Sequence, residues 1–199
     1  MQKSPTSIIL SPTDLANHLA CRHLSWLNFH ALHGGPKPSK NDDELADILR
    51  QYGEQHEQKY LDELRAKVAE LGQGVINLDA ERSDTDPYAV ETLRDRAQQT
   101  KAALAAGGNV LYQPTFFRED DNGIAWVGRA DFLVPVDSLT FEPEDTKLAR
   151  IAKVNAILQL CSYAEHLGKI QGKDPEYIHV VTGSVEEGKV SVRLDEVSA

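Results

Sequence analysis

Two hydrophobic spacings divide the chain, and the change falls near Asn109. Before it, apolar residues recur every three or four positions, the period of helices with one buried face; after it they form runs rich in Val, Phe, Tyr and Trp, as strands do. Ser11-Pro12-Thr13-Asp14 reads as a capping box, with Pro12 at the first helical position and Asp14 reaching back to Ser11. The helix it opens carries Leu15, His18, Leu19, Arg22 and Trp26 and ends before Gly34-Gly35-Pro36. A longer helix starts at Asn41-Asp42-Asp43-Glu44, whose carboxylates suit the positive end of the helix dipole. Leu45, Leu49, Tyr52, His56, Tyr60, Leu64, Val68 and Leu71 make its stripe, which stops near Gly72. A short strand covers Val75 to Leu78, and Asp86-Pro87 opens a third helix that runs to Gly107-Gly108.

Val110 to Phe117 and Ile124 to Val136 read as a hairpin around Asp120-Asp121-Asn122-Gly123, with Asn-Gly supplying positive φ angles. Ser138 to Lys147 is a third strand, 152–171 a helix, and Tyr177 to Gly183 and Lys189 to Leu194 a closing hairpin. The expected class is α/β, one globular unit in which 1–40 form an N-terminal helical segment and 41–199 the main body. From residue 42 the order is helix with a helical excursion, three strands, helix, strand, then the last strand of a C-terminal hairpin.

Composition narrows the classes. The 199 residues are 41% hydrophobic and 26% charged, with 21 basic against 31 acidic side chains and a net charge of −10, which describes a soluble globular chain and argues against coating nucleic acid by charge alone. No apolar run is long enough for a membrane span, so no membrane partner and a cytoplasmic location are expected. Cys21 and Cys161 are too few for a four-cysteine cluster or a Cys-rich zinc site. Charge is uneven: 41–106 hold 15 acidic and 8 basic residues, whereas 145–173 hold 5 basic and 2 acidic. The strip Lys147, Arg150, Lys153, Lys169 and Lys173 is therefore the expected face for a polyanion, and Lys189 on the terminal hairpin is expected to be solvated.

Candidate chemistry lies in the strand half. Asp145 and Lys147, one residue apart on a strand, leave the same face. Asp131 interrupts Val127-Gly128-Arg129-Ala130-Asp131-Phe132-Leu133-Val134, a stretch otherwise fit for burial, so its carboxylate needs a partner. If the strands are neighbours, two carboxylates and an ammonium converge; a hard cation between them relieves the repulsion, and Mg²⁺ or Mn²⁺ suits such oxygen ligands. Each signal also has a plain structural reading: a surface Asp–Lys pair, a hydrogen-bonded core histidine for His56, and a packing pair for Gln159 and Tyr163, which are four apart on a helix.

The combination is more specific than its parts. His56 on a long helix, then Gly128-Arg129-Ala130-Asp131, then Asp145-Thr146-Lys147, then Gln159-x-x-x-Tyr163, resembles the RecB-family nuclease domain of the PD-(D/E)XK superfamily, whose core has the same α-β-β-β-α-β order. The resemblance extends over SPTDLANHLACRHLSWLN, GRADFLV, DTKLARIAK and ILQLCSYAEHL. It implies a metal-dependent deoxyribonuclease, a phosphodiester hydrolase of DNA repair, recombination or defence, using Mg²⁺ or Mn²⁺. His56, Asp131 and Asp145 would be metal ligands together with the backbone carbonyl of Thr146, Lys147 the catalytic lysine, and Gln159 and Tyr163 the helix motif that supports the site and contacts DNA. Glu57 also fits the pattern, with no role assigned. Asp145 stands where Glu is commoner, and Pro143 is expected to confine the third strand to an edge or a bulge. Some relatives bind an iron–sulfur cluster through one early and three late cysteines; Cys21 matches only the early position, so no cluster is expected. No GxxxxGK[ST] motor motif occurs, so a helicase or other domain would be fused or bound in trans. The alternative is a non-catalytic DNA-binding or interaction module of a larger nuclease–helicase assembly.

Overall fold

The computed structural model describes residues 1–37, 44–79, 86, 88–184 and 188–197. It is a mixed α/β fold. In chain order its elements are β1 (Gln2–Lys3), β2 (Ile8–Leu10), α1 (Pro12–Ala20), α2 (Arg22–Leu32), α3 (Glu44–Ala69), β3 (Val75–Asn77), α4 (Val90–Ala106), β4 (Val110–Tyr112), β5 (Thr115–Glu119), β6 (Ile124–Arg129), β7 (Phe132–Pro135), β8 (Phe141–Lys147), α5 (Val154–Gln171), β9 (Tyr177–Thr182) and β10 (Lys189–Arg193). The strands form a six-stranded sheet, β10-β9-β8-β7-β4-β3, and a four-stranded sheet, β1-β2-β6-β5. In the larger sheet β8 runs antiparallel to β7 and parallel to β9, as a strand–helix–strand crossover through α5 requires.

Helices cover both faces of the larger sheet. Leu160, Ala164 and Leu167 of α5 pack on Leu111, Leu133, Phe141, Ile178 and Val180 on one side. Leu61, Leu64 and Val68 of α3 pack on Val110 and Phe132 on the other. Only the second half of the α3 stripe is buried; Leu45, Leu49 and Tyr52 are exposed. α4 covers the smaller sheet through Val90 and Leu93, which meet Ile9 and Ala125.

Several sequence expectations need correction. The N-terminal segment is not helical alone, because β2 pairs in parallel with β6 and ties it into the smaller sheet. The capping box forms, with Ser11 N–H donating to Asp14 Oδ2 at 3.0 Å. The helix it opens breaks at Cys21, whose extended backbone (φ −157, ψ 102) closes α1 and starts α2. The expected start of α3 at 41–43 lies outside the described residues, and α4 begins at Val90 rather than at Asp86-Pro87. In the hairpin turn only Gly123 takes a positive φ (74); Asp120 accepts from the N–H groups of Asn122 and Ile124 and closes the turn instead. Pro143 sits in a central strand. It pairs with Leu133 on the β7 side, while the β9 ladder starts only at Glu144, so no β9 carbonyl waits for the N–H that proline lacks.

The two long strands of the predicted hairpin both break, and at the same level. Gln113-Pro114 separates β4 from β5, and Ala130-Asp131 separates β6 from β7. The hairpin therefore begins in the larger sheet, crosses to the smaller one and returns. Gln113 N–H donates to the Asp131 carbonyl at 2.8 Å and Ala130 N–H to the Pro114 carbonyl at 3.2 Å across the break. Gln113 takes a left-handed backbone (φ 57), the only non-glycine to do so among the described residues. Such a strained position at a sheet junction marks a place where backbone geometry is held by its surroundings.

Candidate active site

The break aims Asp131 at the end of β8. Phe132 is in register with Glu144, so Asp131 and Asp145 follow one step beyond the last ladder pair. Thr146 N–H at 2.7 Å and Thr146 Oγ1 at 2.9 Å both donate to Asp131 Oδ2. Alternation along β8 sends Phe141, Pro143, Asp145 and Lys147 toward α5 and Glu142, Glu144 and Thr146 toward α3.

β8 buries three carboxylates, and their partners differ. Glu142 accepts from Tyr177 N–H at 3.0 Å and bonds His179 Nε2 at 2.8 Å, and His179 Nδ1 meets Ser191 Oγ at 2.8 Å. These contacts hold its carboxyl below the usual range despite burial. Glu144 accepts from the Tyr60 hydroxyl and the Lys189 ammonium. Lys189 is thus not the solvated lysine expected from the sequence, because a buried carboxylate recruits it. Asp145 is 1% exposed; its Oδ2 pairs with the Lys147 ammonium. Burial, followed by repulsion from Asp131, pushes its pKa up to about 7, with Lys147 opposing and Glu57 adding to the rise.

Glu57 is the acidic residue to which sequence reasoning gave no role. Tyr112 Oη at 2.8 Å and Gln113 Nε2 at 2.6 Å donate to its Oε1. Burial and then the Asp131 charge raise its pKa, against these two hydrogen bonds. The strained Gln113 thus spends its side chain on orienting Glu57. One residue earlier on the helix, about 100° around it, His56 turns elsewhere: its Nε2 lies 3.3 Å from the carbonyl of Val181, the β9 residue in register with Thr146. The signal for Glu57 was available only as adjacency to His56.

α5 supplies the other wall. Gln159 Nε2 donates to Tyr163 Oη at 2.8 Å. Tyr163 is buried, and burial followed by the field of Asp145 raises its pKa. Gly128 makes room for its ring: a Cβ there would lie 2.8 Å from Tyr163 Cε1. Arg150 and Lys153 are exposed on the segment between β8 and α5, and Lys153 is the N-cap of α5, where the helix dipole disfavours a cation. Lys169 and Lys173 do not join them. They sit at the opposite end of this 18-residue helix, where Lys169 pairs with Glu165.

Asp131, Asp145, Lys147, Thr146 and Glu57 are therefore gathered at one end of β8, with Gln159 and Tyr163 beside them and His56 on the β9 side. Among the described residues, no three His, Cys, Asp or Glu groups are placed together so that they could hold a metal ion. The donor chemistry nevertheless fits a hard divalent cation: hard oxygens, a buried carboxylate, and mutual repulsion of Asp131 and Asp145 that a cation would relieve. Among the described residues no helix is long and apolar enough to cross a membrane. No protein-family model, no curated protein and no solved structure matches this chain.

Proposed function

We propose that the chain is a metal-dependent nuclease that hydrolyses DNA phosphodiester bonds at the Asp131–Asp145–Lys147 cluster, on a RecB-like PD-(D/E)XK core. The observation that carries this reading is the contrast along β8: Glu142 and Glu144 each have two partners, whereas Asp145 is buried beside a second carboxylate that repels it, with the half-exposed Lys147 as its cation. A buried acid pressed against a second carboxylate, with a half-exposed lysine as its cation, is placed where a ligand carrying positive charge would relieve it. The order α3, then β3 and α4, the two interrupted strands β4–β5 and β6–β7, β8, α5 and β9, and the Gln159–Tyr163 pair, support the same assignment.

A divalent ion held by Asp131 and Asp145, with His56 and the Thr146 carbonyl as the further ligands implied by the resemblance, would lower the pKa of a water and offset phosphate charge. Thr146 fixes the Asp131 carboxylate from two sides, so its free oxygen is presented in one direction. Lys147 places an ammonium beside Asp145, where it stabilises negative charge developing on the phosphate. Glu57 adds a further carboxylate close enough to Asp131 for the two charges to repel. Arg150 and Lys153 give the phosphate backbone an approach over an otherwise acidic surface.

The test is cleavage of linear, circular and single-stranded DNA by the native chain with Mg²⁺, Mn²⁺ or EDTA. The reading expects cleavage with a divalent ion, none in EDTA, and none with Asp145→Asn. Failure to cut any of these with either ion transfers the protein to the binding-module reading.

A further inference from the structure

A cleft of about 600 Å³ opens beside the carboxylate cluster, between the start of α1, α4 and the β5–β6 hairpin. Gln159 and Tyr163 line both this cleft and the candidate active site, which adjoin there. Arg129, two residues ahead of Asp131, lines it at the end of β6, and Arg96 of α4 lines it from the facing side. Two guanidiniums facing one cleft are unusual in a chain of net charge −10. Among the described residues their acids are few. Arg129 has Asp79 at 3.9 Å and lies in the field of Glu57. Arg96 is half-buried and makes no ion pair among the described residues, whereas its neighbour Arg94 is bound by Glu119 at 2.6 Å. The carboxylate that reaches the cleft, Asp14, is already engaged by Ser11 N–H and Oγ and by the Met1 amino group. An arginine held half-buried without an acid retains its fork for an anion, and the fork matches a phosphate.

The other walls are mixed: Gln2, Thr13 and Thr115 are polar, while Leu93, Val127 and the exposed Tyr88 ring give an apolar and aromatic part. Phosphate-seeking arginines beside a ring and aliphatic walls suit a nucleotide chain, with bases on the apolar side. The volume is in the range of about 300–1,000 Å³ that encloses a small molecule, so it admits nucleotide-sized units of one strand and not a duplex.

We propose that this cleft is a nucleic-acid subsite, in which Arg96 and Arg129 neutralise phosphates of the strand that runs on from the carboxylate cluster. The inference rests on the nuclease reading for where that strand leads, but not for the binding itself.

The test is fluorescence anisotropy of a labelled oligothymidylate with the full chain in EDTA, titrated with salt. Arg96→Ala weakens binding by roughly tenfold and lowers the slope of log K against log salt by about one; Arg96→Lys falls between, and Arg94→Ala matches the native chain. Because a variant can misfold, the native chain is also cross-linked to a 4-thiothymidine oligonucleotide, and the adduct is expected on Tyr88 or α4. Equal affinity and slope for Arg96→Ala, adducts confined to other surfaces, or no binding by the native chain overturns the proposal. Arg96-dependent binding without cleavage under any metal leaves the subsite and removes the nuclease; cleavage with binding indifferent to Arg96 does the reverse.

Discussion

Thr146 holds Asp131 with two donors at once, its backbone N–H at 2.7 Å and its hydroxyl at 2.9 Å, both on Oδ2. The residue between the two strand acids and the lysine thus fixes the orientation of the carboxylate on the opposite strand. Thr146→Val keeps the shape and the backbone donor but removes the hydroxyl. Loss of such an outer partner commonly costs about 10–100-fold in metal affinity, so Mn²⁺ binding by calorimetry should weaken by that order, and Thr146→Ser should restore it. Native affinity in Thr146→Val would mean the backbone donor suffices.

Asp145 is held at a cost to stability. Its carboxylate is buried and repelled by Asp131, so Asp145→Asn in metal-free buffer at mildly alkaline pH, where the native group is charged, should raise stability by about 0.5–2 kcal/mol. Urea unfolding measures this. The same variant should lose Mn²⁺ binding, and a variant that is both less stable and still metal-binding would contradict the repulsion.

How far the site was legible follows from these residues. Strand parity alone brought Asp145 and Lys147 to one face, and Asp131 was conspicuous as a charge in an apolar run. The bends at Gln113 and Asp131 were not legible, because a long alternating stretch gives no sign of switching sheets; the departure is held by tertiary hydrogen bonds between the two breaks. Glu57 was hidden for the same reason, since its donors Tyr112 and Gln113 come from a strand some 55 residues away. Lys189 was misread because its acceptor Glu144 sits on a strand it does not adjoin.

Gly128 is a packing requirement of the Tyr163 wall. A methyl group there would sit 2.8 Å from the ring, which overpacks the contact. Gly128→Ala should destabilise by about 1–3 kcal/mol, read from chemical denaturation. An unchanged midpoint would show that the ring shifts freely and is not fixed by β6.

His166 predicts an acid-side loss of stability unconnected with the site. Its Nδ1 bonds the Ser162 carbonyl at 2.8 Å, its Nε2 is buried without a hydrogen bond, and burial pushes its pKa below the ordinary 6.5. The unfolded chain therefore takes up a proton before the folded one does. That contribution to stability is full above pH 6.5 and is lost as pH falls from there through the lowered folded value. Thermal unfolding across about pH 7 to 5 should show a shallower decline for His166→Gln than for the native chain. Parallel declines would assign the acid sensitivity elsewhere.

The central claim is that Lys147 acts on the reaction rather than on the fold. It is half-exposed, so its removal opens no cavity in the core; the buried Asp145 loses its cation, and bound Mn²⁺ would supply that charge in its place. The most direct measurement is the single-turnover cleavage rate of Lys147→Ala with Mn²⁺, next to the native chain and Lys101→Ala, an exposed lysine of α4. The account predicts a fall on the order of 10²-fold or more for Lys147→Ala, with Mn²⁺ affinity retained and Lys101→Ala unchanged. Cleavage by Lys147→Ala at the native rate would contradict it.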